Sequence, residues 1–329
     1  MTIYWVSFLL LVVLLLAFDL GVLNRKNHVV ELKEALGWTA FWVFVAMCFN
    51  VFVYFAYENH WGGIGRDFGL EMDGRTAALQ FLAAYLVEKS LSLDNIFVFA
   101  VIFRYFAVRP EFQHRVLFWG IIGALVLRGV MIAAGAAAIA RFVWVEYLFG
   151  AILLYTAYRM AVSGNEEIAP DRNPLVRLAR RFFPVTQDFH GDHFFVREGG
   201  RLFMTPMFLV LLVVESTDVL FAVDSIPAVF AVSRDKFIVF TSNIFAILGL
   251  RALYFALGGV LGQFKYLKHA LVVLLGFVGV KMILAAMKLL IPVPLSLGII
   301  VSILALGIIA SLVARGRPGA TGAGGADAA

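Results

Sequence analysis

The chain has 329 residues, of which 62% are hydrophobic and only 15% charged, with a mean hydropathy of +0.91 and a formal net charge of +5. Soluble domains are about 45–50% apolar and about 25% charged, so this composition excludes a soluble globular protein and indicates an integral membrane one. A single cysteine, Cys48, leaves neither a disulfide framework nor a cysteine-rich metal centre. The positive charge forms no basic stripe with interleaved aromatics, so anionic lipid is the expected partner and nucleic acid is not.

Crossing a hydrocarbon core of about 30 Å takes about 20 helical residues. Apolar runs of that order recur at 3–18, 38–57, 78–103, 116–140, 144–162, 205–232, 237–260, 268–290 and 295–314. The expected fold is therefore all-α and polytopic, with about nine transmembrane helices. The first run lacks a basic segment before it, and Phe18-Asp19-Leu20-Gly21 follows it in place of a small-residue cleavage site, so it reads as a retained helix. Residues 1–76 hold two helices and their loops, 77–162 a first three-helix unit, 163–204 a long polar connection, 205–290 a second three-helix unit and 291–315 a last helix. The Gly/Ala-rich tail 316–329 is expected to be disordered.

The long connection carries Pro170, Pro174, Pro184 and the basic run Arg177 to Arg181, followed by DFHGDHFFVREGGRLF, which reads as a hairpin. Asp188, His190, Asp192 and His193 within it could be metal ligands, although polar loops often collect such residues without a site. Counting from the amino end, odd-numbered connections hold fifteen Lys and Arg and even-numbered ones hold six. The positive-inside rule then places odd connections in the cytoplasm, the amino terminus outside and the carboxyl terminus inside.

The two units resemble each other. FWGIIGALVLRGVM in the fourth span aligns with TSNIFAILGLRALY in the seventh, matching Arg128 with Arg251. GAILLYTAYRM in the fifth aligns with VVLLGFVGVKM in the eighth, matching Arg159 with Lys281 at nearly the same separation. The third and sixth spans align in two registers, one pairing Asp94 with Asp218, the other pairing Glu88 with Asp218 and Asp94 with Asp224. Three spans separate each feature from its counterpart, so spans 3–5 and 6–8 run oppositely through the bilayer, as in inverted-repeat transporters.

A charged side chain at the bilayer centre costs about 2.5–3.5 kcal/mol on insertion scales, which makes intramembrane ionisable residues functional candidates. Here they are Glu88, Lys89, Asp94, Arg128, Glu215, Asp218, Asp224, Arg251 and Lys281. Two readings compete. Either the arginines and acids form a structural ion network, or the acids converge on a divalent cation with Ser92, Asn95, Ser225 and Asn243 as neutral oxygen donors. Oxygen-only sites suit magnesium, manganese or calcium better than zinc or copper. Glu215 and Asp218 share a helical face, but Asp224 lies nine positions past Glu215, about 180° round the helix. Pro227 removes a backbone hydrogen bond and is expected to kink or unwind the sixth span near Asp224. The many glycines of the fourth, seventh and eighth spans read chiefly as close-packing positions.

The strings VEKSLSLDNIFVFAVIF, QHRVLFWGIIGALVLRG, TPMFLVLLVVESTDVLFAVDSIPAVFAVSRDKF and FTSNIFAILGLRALYF closely resemble the TerC/Alx family of bacterial membrane proteins, over roughly residues 14–290. That resemblance implies an inner-membrane protein, distantly similar to the LysE exporters and associated with tellurite resistance or manganese(II) export. It also implies Glu88, Asp94, Glu215, Asp218 and Asp224 as metal ligands. Some relatives are called redox modulators, yet the sequence carries no flavin, haem or thiol motif. The leading expectation is a manganese(II) exporter with no permanent cofactor, in which Arg128 and Arg251 hold the acids between transport events. The alternative is a non-transporting scaffold or stress-response partner with a structural ion network. The ranking of manganese above calcium or magnesium rests on the resemblance alone. An oligomer or a stress-protein partner is compatible with either reading.

Overall fold

A computed structural model describes residues 2–23, 31–65, 72–142, 144–162, 174–182, 184–186, 188–258 and 266–315. The side chain of Asp94 and the tail 316–329 lie outside the described residues, as does much of the 163–204 connection. The apolar runs fall on helices α1 (Thr2–Leu23), α2 (Leu32–Glu58), α3 (Gly74–Tyr105), α4 (Pro110–Arg141) and α5 (Trp144–Val162). The connection adds a short α6 (Pro174–Phe182) and a hairpin of β1 (Phe195–Glu198) and β2 (Arg201–Met204). Then come α7 (Pro206–Val232), α8 (Lys236–Ile247), α9 (Leu250–Gly258), α10 (Leu267–Ala286) and α11 (Val293–Arg315).

Six helical spans among the described residues are long and apolar enough to cross a membrane: 32–58, 110–141, 206–232, 236–256, 268–286 and 293–311. α3 has the length, but Glu88, Lys89 and Asp94 interrupt its apolar character. The architecture is that of a helical, polytopic membrane protein with one antiparallel hairpin, whose register pairs Phe195 with Met204 and Glu198 with Arg201.

Local chemistry sets the helix ends. Pro110 and Pro206 occupy first turns, where a missing N–H costs nothing, each after an extended residue. Asp235 caps α8, its Oδ1 accepting from Phe237 N at 2.9 Å and Ile238 N at 3.0 Å. α3 is the central helix, packed on α2, α7, α8 and α11, while α4 lies on α7 and α8 and α5 lies on α10. The α5–α10 contact is close because glycines meet there: a Cβ on Gly150 would sit 2.6 Å from Ile283 Cγ1, and one on Gly279 would sit 3.1 Å from the Gly150 carbonyl oxygen.

Three apolar clusters fill the interior. One is aromatic, built from Phe8, Trp42, Phe49, Phe81 and Phe245 of α1, α2, α3 and α8, with Phe49 and Phe245 ring centres 4.5 Å apart. A second gathers α5, α10 and the later halves of α4 and α7, and the third joins the hairpin to the later half of α3 and the first halves of α4 and α7. Many phenylalanines therefore form the core between α1, α2, α3 and α8.

The break in a transmembrane helix falls elsewhere than Pro227 implies. α7 is helical without interruption through Pro227, and every residue from Ser225 to Val232 is buried. Proline forfeits one donor there, and enclosure by neighbouring helices holds the turn helical. The seventh span breaks instead. α8 stops at Ile247, Gly249 takes a left-handed φ of +80°, and α9 resumes at Leu250. Nothing larger than glycine fits, since a Cβ at Gly249 would lie 2.7 Å from Trp42 Cβ. The break is tolerable because protein encloses it: 83% of this span's most apolar window is buried, the largest share of the six.

Gly249→Ala therefore combines a left-handed backbone with a collision. It is expected to destabilise the protein by about 1–3 kcal/mol, read as a lowered unfolding temperature in detergent. Gly276→Ala, where an added Cβ has no neighbour within 4 Å, is expected to be near neutral in the same assay.

Candidate functional site

Glu88, Arg128 and Asp218 lie near the midpoints of α3, α4 and α7. Helix periodicity turns each toward the others, because α3 packs on α7 and α7 on α4. Arg128 is 1% exposed, Glu88 0% and Asp218 4%, so the whole group is shut away from water and lipid. The guanidinium grips Asp218 through two bonds, Nε donating to Oδ2 at 3.3 Å and Nη2 to Oδ1 at 3.1 Å. Nη1 forms an ion pair with Glu88 and donates to Ser225 Oγ at 3.3 Å. Planar forked donors suit arginine to such bidentate pairing.

Glu215 stands one turn before Asp218 on the same face of α7. Its carboxyl group lies against α4 at Gly123, where any Cβ would collide with it. Its Oε2 is buried and has no hydrogen-bond partner among the described residues. Ser92 Oγ on α3 and both amide atoms of Asn243 on α8 are buried and unpartnered in the same sense. Asn95 is also buried on α3. Unsatisfied buried polar atoms at membrane depth are costly and call for a ligand, water or ion.

The break in the seventh span adjoins this group. Lys89, next to Glu88, donates from Nζ to the carbonyl oxygen of Ala246 at 3.1 Å, satisfying one of the acceptors that the end of α8 leaves free. A narrow cavity lies on the hairpin side of the pair, lined by Gly120 and Ala124 of α4, Val214 and Asp218 of α7, and Leu250 and Arg251 of α9. Asp218 is thus both a partner of Arg128 and a wall of this cavity.

The remaining expected residues are placed differently. Asp224 faces α5, where its Oδ1 accepts from Thr156 Oγ1 at 2.7 Å, with Arg159 in electrostatic reach one turn further on. This follows from the unbroken α7, since without unwinding at Pro227 the Asp224 side chain cannot swing to the face shared by Glu215 and Asp218. Arg251, expected to hold the motif acids, is held by Asp19, with Nη2 at 2.9 Å from Oδ2 and 3.1 Å from the main-chain oxygen. Its Nη1 lies 3.0 Å from His114 Nδ1. Lys281 donates to Ser296 Oγ at 2.9 Å between α10 and α11, away from the acids. The loop residues do not gather. Asp192 pairs with Arg115 and ties the hairpin to α4, while His190 Nδ1 lies 3.1 Å from the oxygen of Asp188. No group of three or more acids, histidines or cysteines with metal-binding placement occurs among the described residues, which do not include the Asp94 side chain.

Sequence reasoning misses Asp19, His114, Thr156 and the Gly249 break. Asp19 closes an apolar run and resembles an ordinary helix-end acid, and His114 sits outside the apolar core of its span. The visible signal for the break is Gly249 following NIFAIL, a glycine where the span is otherwise uninterrupted.

The family model for the integral membrane protein TerC family matches residues 73–318. Membrane protein STKORF319 of Myxococcus xanthus is 50% identical over 301 residues, covering 91% of this chain and 89% of that protein. A Salmonella typhi protein named "Putative membrane-bound redox modulator Alx" is 45% identical, and its Escherichia coli K12 namesake 43%, each alignment spanning 91% of both chains. No solved structure matches the chain. With the match running from the start of α3 into α11 and enclosing every residue of the Glu88–Arg128–Asp218 group, the chain belongs to the TerC family of integral membrane proteins.

Proposed function

We propose that this protein is a secondary transporter that exports a divalent cation, manganese(II) foremost, through a carboxylate site near the bilayer midplane. The observation that carries the reading is the buried pairing of Glu88 and Asp218, from two facing helices, through Arg128, with the unpartnered Glu215 one turn before Asp218 and a broken transmembrane span beside them. Discontinuous helices at membrane depth are where secondary transporters build their ion sites. Carboxylates, with Ser92 and Asn95 on α3 and Asn243 on α8, form a hard-oxygen set suited to magnesium, manganese or calcium. The choice of manganese rests on the family resemblance. The names of the Salmonella and Escherichia relatives speak instead of redox modulation, which a change in the cellular pool of a redox-active cation would also produce.

Helix contacts support two inverted units, α3–α5 and α7–α10. α3 packs on α8 as α7 packs on α4, and the pairs α3–α7 and α5–α10 each join an element to its counterpart. That pattern is what a two-fold axis in the membrane plane generates. Rocking one unit against the other would open the site to each side in turn, and protonation of a carboxylate on metal release would supply the coupling for export against an inside-negative potential. On this reading the protein resides in the bacterial inner membrane, with the amino terminus outside and the hairpin and carboxyl terminus in the cytoplasm.

One observation favours the alternative, a non-transporting scaffold: the Glu88–Arg128–Asp218 group is ion-paired and buried, as a structural network would be. Purified protein in liposomes decides between them. Manganese flux is expected for the wild type, and Asp218→Asn and Glu215→Gln are each expected to cut it at least tenfold while remaining monodisperse. No flux of manganese, calcium or magnesium, together with no binding of any of them by folded protein, would remove the transporter reading. In cells, Asp94→Asn and Asp218→Asn are expected to abolish manganese tolerance at normal protein levels. Lowered abundance with tolerance in proportion to the protein remaining would identify them as structural.

A further inference from the structure

Arg128 is more than a brace. Its guanidinium is the point on which Glu88, Asp218 and Ser225 converge from two helices other than its own. In this arrangement two carboxylates share one positive charge, which leaves the buried group with a formal charge of −1. A divalent cation between the same two carboxylates would neutralise them, with the displaced guanidinium left as a single positive charge beside them. Low dielectric surroundings magnify that difference, because an uncompensated charge away from water is costly.

We propose that Arg128 is a built-in competitor for the transported cation: the guanidinium occupies the position the divalent ion takes between Glu88 and Asp218, and each transport cycle exchanges one for the other. This rests on the transporter reading above and adds to it the identity of the exchanging group.

Three features make the exchange physically accessible. First, Asp218 is shared between Arg128 and the cavity bounded by Gly120, Val214, Leu250 and Arg251, so its carboxylate borders open space as well as the guanidinium. Second, Ser225 lies seven residues along α7 from Asp218, two turns further on the same face, and already accepts from Nη1. A displaced guanidinium keeps a neutral partner there after both carboxylates release it. Third, Glu215 lies one turn before Asp218 on the same face of α7 with an unpartnered oxygen, available to a metal and not engaged by the arginine. Released toward Ser225, the arginine also places a positive charge beside the loaded site, which repels the metal and assists its departure when the opposite side opens.

The competitor predicts an outcome that a brace does not. Removing it leaves two buried carboxylates facing each other, so the protein loses stability, but the metal itself then replaces the missing charge. Purified Arg128→Gln is expected to unfold at a lower temperature than wild type without metal and to be raised by manganese(II) by a larger interval than wild type. Its manganese affinity, followed by the loss of the free-ion electron paramagnetic resonance signal, is expected to be at least tenfold tighter. Arg128→Lys keeps the charge but loses the fork, folds more readily, and is expected to bind manganese with an affinity between the two. If wild type binds manganese and folded Arg128→Gln binds no tighter, Arg128 is a structural brace and the proposal is overturned with the transporter reading intact. If Arg128→Gln does not fold even with manganese, an Arg128→Lys affinity equal to or weaker than wild type overturns it instead. If wild type neither binds nor transports any divalent cation, the transporter reading fails, and the inference with it.

Discussion

A guanidinium shut inside a bundle of apolar helices is the constraint around which this fold is arranged. Arg128 cannot be solvated where it lies, so α3 and α7 must each present a carboxylate to it, and both do so from their midpoints. Breaking such a pair by removing one partner costs about 3–5 kcal/mol, a large part of the margin by which a protein is stable. The group therefore locks three helices in rotation as well as in distance. Turning α7 by one residue would move Asp218 about 100° away from the arginine and Glu215 away from Gly123. All three apolar clusters draw residues from α3, so the packing supplies the enclosure and the charges supply the register.

The same logic explains the broken seventh span. A helix end inside a membrane leaves acceptors without donors, and here Lys89 brings one donor to the Ala246 carbonyl. Lys89 adjoins Glu88 in sequence, so α3 serves the arginine with one residue and the helix break with the next. Trp42 fills the space that Gly249 leaves by lacking a side chain. Capping thus comes from α3 and shape from α2, beside the charge pairing that α3 and α7 make with Arg128.

Much of this is legible in the sequence, and what is not has a physical reason. Apolar runs locate the helices, because span length is dictated by the bilayer and not by tertiary contacts. Ionisable residues in those runs mark the level of the site for the same reason. Which acid meets which base is a different kind of fact. Asp218 and Asp224 look alike in sequence, yet six residues place them on different faces, one on Arg128 and the other on Thr156. Proline misleads because its effect depends on enclosure: Pro227 sits in a stretch buried on all sides, and its helix carries on. Gly249 breaks its helix because Trp42 occupies the space a side chain would need. Asp19 escapes sequence reasoning altogether, since its partner Arg251 is distant in sequence and nothing at a helix end distinguishes it.

The two matched arginines differ in a way that bears on mechanism. An inverted repeat places equivalent groups on opposite sides of one axis, so a conformation open to one side cannot treat them equally. Arg128 holds the motif acids, whereas Arg251, across the cavity from it, is drawn off by Asp19 and His114 at the hairpin end of the bundle. α1 lies outside the proposed repeat, so Asp19 has no counterpart on the other side. The N-terminal helices then do more than enclose the bundle: α2 supplies Trp42 to the helix break and α1 supplies Asp19 to the arginine beside it.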